Sequence, residues 1–335
     1  MLRVLYAGSP EASAKTLELL LKDSLTSTAK DEYRIVGVLT NPPSAQGRHK
    51  ELIPTEVEKT ARLWNETHDD EIKVFTPEHL DAPCRESIAT VHPDIFVCFA
   101  YGHIFGPKFL SSFSLGGINL HPSLLPKYRG CTPVNAALLN GDSETGFSVQ
   151  KISLATDEGD LLVQKKIALT GTETAESLLL LAADQGEKEI AKILRFTAEH
   201  DELPPATPQS GEASYCPLIK KEDGAIHWNH SALQIDAQIR AYTPWPGTYT
   251  NANGVQLRIL KARAAEKIAS QTEGVPQNTP AVPGTVLQYD KARGILVQCG
   301  DGVLVVQELQ WQAKKAMDYK SFMNGAHDFI GTVLL

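Results

Sequence analysis

No uninterrupted apolar run of about 18 residues occurs in the 335-residue chain, which excludes an obvious membrane-spanning helix. The opening Met1-Leu2-Arg3-Val4-Leu5-Tyr6-Ala7-Gly8 passes straight into a strand-like run and lacks the layout of a secretory signal. A cytoplasmic protein with no membrane partner is expected. Cysteine is scarce. The five present (Cys84, Cys98, Cys131, Cys216, Cys299) are odd in number, widely spaced and without a Cys-x-x-Cys pair, which speaks against both a disulfide framework and a zinc site. They are expected to be reduced packing thiols, and no metal is expected. Positive charge is also short: 32 Lys and Arg face 40 Asp and Glu, a net −8. That balance counts against phosphate contact along the whole chain, but it is uneven. Residues 214–335 carry 12 basic against 10 acidic side chains and residues 1–213 carry 20 against 30, so only the C-terminal part is not acidic. An excess of two is equally the signature of an ordinary mixed surface. No internal repeat is evident.

What is there is ample apolar material, 42% of residues, enough for a sizeable core and, at this length, two domains. The first half alternates strand-like and helix-like patterns: strands at 2–7, 33–39, 72–75, 95–100 and 165–170, and helices at 10–22, 55–65, 84–91 and 173–199. Ser9 and Pro10 suit the N-cap and first position of the first helix. The unbroken apolar run Ile95 to Ala100 marks a central parallel strand covered on both faces. Such alternation predicts a doubly wound, mostly parallel α/β sheet that binds ligands beyond its strands' carboxyl ends. A nicotinamide-dependent oxidoreductase would share that fold. Its Gly-x-Gly-x-x-Gly turn is missing, because the first strand-to-helix turn reads Gly8-Ser9-Pro10-Glu11-Ala12-Ser13 and places a carboxylate where a phosphate would need the helix N-terminus. The polar, Pro-rich stretch 201–212 reads as a semi-rigid linker, giving domains at 1–203 and 214–335 joined by 204–213. Beyond it lie a helix at 231–241 and strand-like runs at 247–251, 255–262, 284–288, 295–299 and 303–309. Five strands suit a small barrel of the oligonucleotide-binding type. Residues 266–283 lack periodicity and read as a flexible surface loop.

Residues 118–130, Ile-Asn-Leu-His-Pro-Ser-Leu-Leu-Pro-Lys-Tyr-Arg-Gly, are the most informative segment. Asn119 and His121, two apart at the end of an apolar stretch, leave the same face of a strand. Pro122 cannot donate to a central ladder and so ends it at His121, where strand becomes loop. By itself His121 is equally a satisfied structural histidine, and Asp157, in Thr156-Asp157-Glu158-Gly159-Asp160, equally an ordinary turn residue.

Together these residues resemble a family. Asn-x-His followed by Ser-Leu-Leu-Pro-x-x-Arg-Gly is similar to the signature of the folate-dependent formyltransferases, and Asp157 lies where that family carries its acidic partner. The resemblance runs over nearly the whole chain. Ala241-Tyr242-Thr243-Pro244-Trp245-Pro246-Gly247 and Lys314-Lys315-Ala316-Met317 resemble the tRNA-acting members, as Arg129 does, while 121–128 is also close to members that formylate glycinamide ribonucleotide. The resemblance implies transfer of a formyl group from 10-formyltetrahydrofolate, a reduced folate, to the methionine amine of initiator methionyl-tRNA, by a monomer without metal. It implies Asn119, His121 and Asp157 as the catalytic group. Phe99, Ala100, Tyr101 and Gly102, with Ser123, Leu124, Leu125 and Pro126, would border the folate. Arg48, His49 and Lys50, on the loop 41–50, and Arg129 would contact tRNA, with Lys127 and Tyr128 helping to shape the substrate side. In that chemistry Asn119 and a protonated His121 donate to the oxygen that becomes negative, and Asp157 raises the imidazole pKa and accepts the proton of the attacking amine. The same residues admit a formyltransferase acting on a nucleotide or amino-sugar amine, or a hydrolase of the same folate. A catalytically idle RNA-binding adaptor is the reading from another class.

Overall fold

The computed structural model describes residues 1–26, 33–46, 51–265, 281–326 and 328–335, and these form two compact units. One gathers Met1–Pro133, Glu144–Ala168 and Ser177–Pro217; the other gathers Val134–Ser143, Leu169–Glu176 and Leu218–Leu335.

A seven-stranded sheet organises the first unit, in the order Leu161–Ala168, Glu144–Lys151, Gly117–His121, Ile95–Cys98, Leu2–Ala7, Tyr33–Leu39 and Lys73–Phe75. The last five are parallel to one another, while Glu144–Lys151 runs antiparallel to both its neighbours, Gly117–His121 and Leu161–Ala168. The mostly parallel sheet is thus as expected, and Glu144–Lys151 is a strand the sequence pattern did not reveal. Phe147 and Val149 alternate with Ser148 and Gln150, but all four are buried, and only two apolar side chains mark so short a run. Side-chain alternation sends Val4 and Tyr6 into one apolar layer, with the helices Glu11–Thr26, Glu56–Thr67 and Ala175–His200. Leu5 and Ala7 enter the opposite layer, with Phe96, Phe105, Phe109 and Phe113. Thr55 and Asp81 cap two helices by accepting the backbone N–H groups of Glu58 and Cys84 at 3.1 and 3.1 Å. Ser9 is not such a cap. Its hydroxyl instead accepts the N–H of Asn41 at 3.2 Å, and the helix starts at Glu11.

Strand order reverses beside Leu2–Ala7, since Tyr33–Leu39 lies on one side and Ile95–Cys98 on the other. This is the switch point at which doubly wound sheets open a crevice. A Cβ on Gly8 would stand 2.6 Å from the carbonyl oxygen of Phe99, so glycine serves the close approach of two chain segments there.

The stretch expected to be a linker is built into the first unit. Leu161 and Thr207 exchange two backbone hydrogen bonds of 2.8 and 2.9 Å, and Tyr215–Cys216 pairs in parallel with Arg129–Gly130. A Pro-rich composition signals an irregular backbone but says nothing of what its carbonyls and amides bond.

The second unit contains the five expected strands as an antiparallel sheet, in the order Thr248–Ala252, Val255–Ala264, Val303–Trp311, Gly294–Gln298 and Val286–Asp290, with Met317–Asp318 added beside Val303–Trp311. The helix Ala232–Tyr242 opens with a reciprocal cap in which Ser231 Oγ accepts Gln234 N at 3.2 Å and Gln234 Oε1 accepts Ser231 N at 2.9 Å. Its Ile235 and Ile239 are buried with Leu257, Ile259, Val297 and Val306. Most of the expected surface loop, 266–280, lies outside the described residues.

Candidate active site at the end of the 117–121 strand

Gly117–His121 lies between Ile95–Cys98 and Glu144–Lys151, so the backbone of Asn119 is held on both sides, with Cys98 and Gln150 as register partners. Leu120 points away from Asn119 and His121 into the core, close under Gly186 of the long helix, where a Cβ would come within 2.7 Å of its methyls. That packing fixes which face the two polar side chains use. They converge on Asp157. Its Oδ1 accepts Gln150 Nε2 at 2.8 Å and Asn119 Nδ2 at 3.4 Å and stands 3.5 Å from His121 Nδ1, while Oδ2 accepts the N–H of Gly130 at 2.8 Å.

His121 is 4% exposed. Its Nε2 lies 2.8 Å from the carbonyl oxygen of Tyr128, which can only accept, so Nε2 carries the proton and Nδ1, 3.5 Å from Asp157 Oδ1, is the nitrogen left without one in the neutral ring. Burial pushes the imidazole pKa below its ordinary value and outweighs the Asp157 carboxylate and the Tyr128 carbonyl, which favour the charged form. The expected rise is therefore reversed: charge attraction was legible in the sequence, and the depth of the site was not.

Asp157 is held in a left-handed conformation, φ +56°, unusual for a residue with a Cβ. The loop after His121 is equally constrained. Tyr128 has φ +60° and Gly130 φ +104°, and a Cβ on Gly130 would meet the Cys216 carbonyl oxygen at 2.6 Å. Ser214 clamps this loop, its Oγ accepting Tyr128 N at 2.8 Å and its carbonyl accepting Arg129 N at 2.8 Å.

The remaining expected residues are placed unequally. Phe99 and Tyr101 send their rings into the core, and only the backbone turn through Ala100 (φ +53°) and Gly102 (φ +87°) lies open. Ser123 is fully buried and donates to Lys127 O at 2.6 Å; Leu125 is buried, and Leu124 lies against Gly146. Arg129 sits in a network, donating to Gln209 Oε1 (3.2 and 2.9 Å), Glu158 Oε1 (2.8 Å) and the Tyr215 hydroxyl (2.9 Å), with its side chain 12% exposed. That arrangement braces the loop. Arg48, His49 and Lys50 lie outside the described residues. Sequence reasoning missed Gln150 and Gln209. Neither carries a motif, and Gln150 joins the site only because register places it opposite Asn119.

Four of the five cysteines are buried, and burial pushes the Cys98 thiol up to about 12, as suits packing. Among the described residues no group of three or more His, Cys, Asp or Glu is arranged to hold a metal, and no helix is long and apolar enough to cross a membrane.

Comparison with known proteins agrees with the mostly parallel sheet that carries this strand end. Residues 4–194 match the model of the formyl transferase family and residues 218–327 that of its C-terminal domain. The chain belongs to the formyl transferase family. The methionyl-tRNA formyltransferase of Treponema denticola is 39% identical over 334 residues, covering 98% of each chain. Among solved structures, the methionyl-tRNA formyltransferase from Clostridium thermocellum superposes with a TM-score of 0.56 over 79% of this chain and 94% of that one, at 16% identity. The N-formyltransferase from Helicobacter canadensis, in complex with folinic acid and dTDP-3-aminofucose, gives 0.60 over 93% and 100%, at 18% identity. At such identities the two structures establish the fold alone.

Proposed function

We infer that the protein transfers the formyl group of 10-formyltetrahydrofolate to the α-amino group of methionine on initiator methionyl-tRNA, for translation initiation. The observation that carries this is the convergence of Asn119 and His121 on Asp157 at one strand end, in a chain similar from end to end to proteins named for that reaction. The open backbone turn at Ala100–Gly102, with no atom within 4 Å of where a Gly102 Cβ would stand and with Ile104 80% exposed, suits a flat heterocycle, and the loop Ser123–Pro126 would border its other side. The bound folate supplies the formyl carbon and takes up a proton at the nitrogen that leaves it.

The chain's own part follows from the protonation states. With its pKa lowered by burial, His121 is neutral at pH 7 and offers Nδ1 as the base that takes the proton of the attacking amine. Asp157, 3.5 Å away, then stabilises the imidazolium and keeps its orientation. The same Nδ1 gives the proton up to the departing nitrogen. Asn119 Nδ2 donates to the charge developing on the formyl oxygen; one such donor contributes about 3 to 4 kcal/mol to lowering the barrier. The protein would act as a cytoplasmic monomer, with the less acidic second unit meeting tRNA phosphates and its strands serving as an oligonucleotide-binding-type barrel. Arg48, His49, Lys50 and Arg129 would contact the tRNA.

Purified protein offered the formyl donor with charged initiator tRNA, glycinamide ribonucleotide, an amino-sugar nucleotide or water alone tests the inference. Consumption with the charged tRNA is expected, and preferential consumption with any other acceptor overturns it.

A further inference from the structure

We propose that Gln209 is a positioning residue for formyl transfer, cross-linking the two loops that hold His121 and Asp157; the inference rests on the catalytic reading of that pair. Each loop holds one end of it. Tyr128 O fixes Nε2 of His121 and Gly130 N fixes Oδ2 of Asp157, so the residue between them, Arg129, belongs to the loop on which both depend. Gln209 Oε1 accepts from Nε and Nη2 of Arg129, at 3.2 and 2.9 Å. At the other end of the same amide, Nε2 donates to the carbonyl oxygens of Asp157 and Gly159, both at 2.8 Å, and lies 3.3 Å from Gln150 Oε1. Gln150 in turn donates to Asp157 Oδ1 at 2.8 Å.

The orientation of this amide is forced. Flipping it would set its oxygen against three oxygens, those of Asp157, Gly159 and the Gln150 amide, and its NH2 against two guanidinium nitrogens. With both ends engaged, Gln209 acts through its neighbours and not on substrate. What it holds needs holding, because Asp157 sits at φ +56°, which a residue with a Cβ leaves readily unless its peptide groups are tied down. The two carbonyls that Gln209 grips are those of the strained residue and of Gly159, two residues on. Thr207, two residues before Gln209, is anchored by its paired backbone bonds to Leu161, so the side chain is presented from a fixed point.

Gln209→Glu separates the two ends. It keeps an acceptor for Arg129 but turns a carboxylate oxygen toward the carbonyls of Asp157 and Gly159, whereas Gln209→Ala removes both. In the full-length protein, kcat for formyl transfer is expected to fall about tenfold or more in both variants, with KM for folate and for charged tRNA within about twofold of the parent, since an ångström of misplacement at a reacting group costs on this scale. The His121 ring titration, followed by NMR, should also move to lower pH in Gln209→Ala, which adds no charge, as the Asp157 carboxylate shifts away from Nδ1. Should Gln209→Glu fail to fold, the kinetics are read in Gln209→Ala. His121→Ala serves as the reference. Loss of activity there with near-parental kcat in the Gln209 variants, an effect confined to KM, or an unmoved titration overturns the positioning role while leaving the catalytic reading intact. Normal kcat in His121→Ala overturns both.

Discussion

At the residue scale, burial and the Asp157 carboxylate pull the charge of His121 in opposite directions, and burial wins. Its ring should titrate below the ordinary value of about 6.5, and Asp157→Asn should lower it further by removing the attraction that favours imidazolium. NMR titration of the ring carbons checks both, and an unchanged value in Asp157→Asn would disconnect the pair. The linkage sign follows. A histidine that binds its proton less readily when folded contributes stability that is complete above about pH 6.5 and is lost as pH falls through the folded value, so acid should both weaken the fold and remove the base. His121→Ala and Asn119→Ala should each lower kcat by about a hundredfold or more while the unfolding midpoint changes little. Retention of near-normal kcat would make these residues structural.

Among the elements, the loop between His121 and Gly130 does most to shape the site. Gly130 has a conformation that strains any other residue, and its missing Cβ leaves room for the Cys216 carbonyl. Gly130→Ala should destabilise the first unit by about 2 kcal/mol and lower kcat as well, since the same peptide holds Asp157 Oδ2. Denaturant unfolding with parallel kinetics would show it, and an undisturbed kcat would mean the loop tolerates the shift. Leu120, on the reverse of the catalytic strand, sets the register. Leu120→Ala should cost about 2 to 5 kcal/mol by opening a cavity beneath Gly186, measured by the same unfolding curves.

For the whole molecule, the boundary matters more than its composition suggests. Because Thr207, Gln209, Ser214 and Tyr215–Cys216 are bonded into the first unit, a chain ended at 203 should bind formyl donor more weakly than one ended at 217. Equal donor affinity of the two truncations would return the stretch to the status of a linker. In the intact protein, the uneven charge predicts a KM for charged tRNA that climbs steeply with salt while KM for the folate does not. Parallel salt responses would argue against phosphate contact.

The periodicity of apolar residues determined the helices and most strands of both units, because a side chain's face is set by local backbone geometry. Tyr33–Leu39 is the clearest case, running over the residues its pattern marked. The Asn119–His121 spacing likewise determined that both leave one face, and Pro122 that the strand stops there. Glu144–Lys151 stayed hidden because only Phe147 and Val149 are apolar there, and the burial of Ser148 and Gln150 between them depends on segments far away in the chain. Only the tertiary structure decided that Gln150 lies opposite Asn119, that the Pro-rich stretch supplies Gln209 to the site, and that His121 is buried deeply enough for its pKa to fall rather than rise. Register, long-range hydrogen bonds and desolvation depend on segments far apart in the chain, and no local pattern of residues encodes which of them will meet.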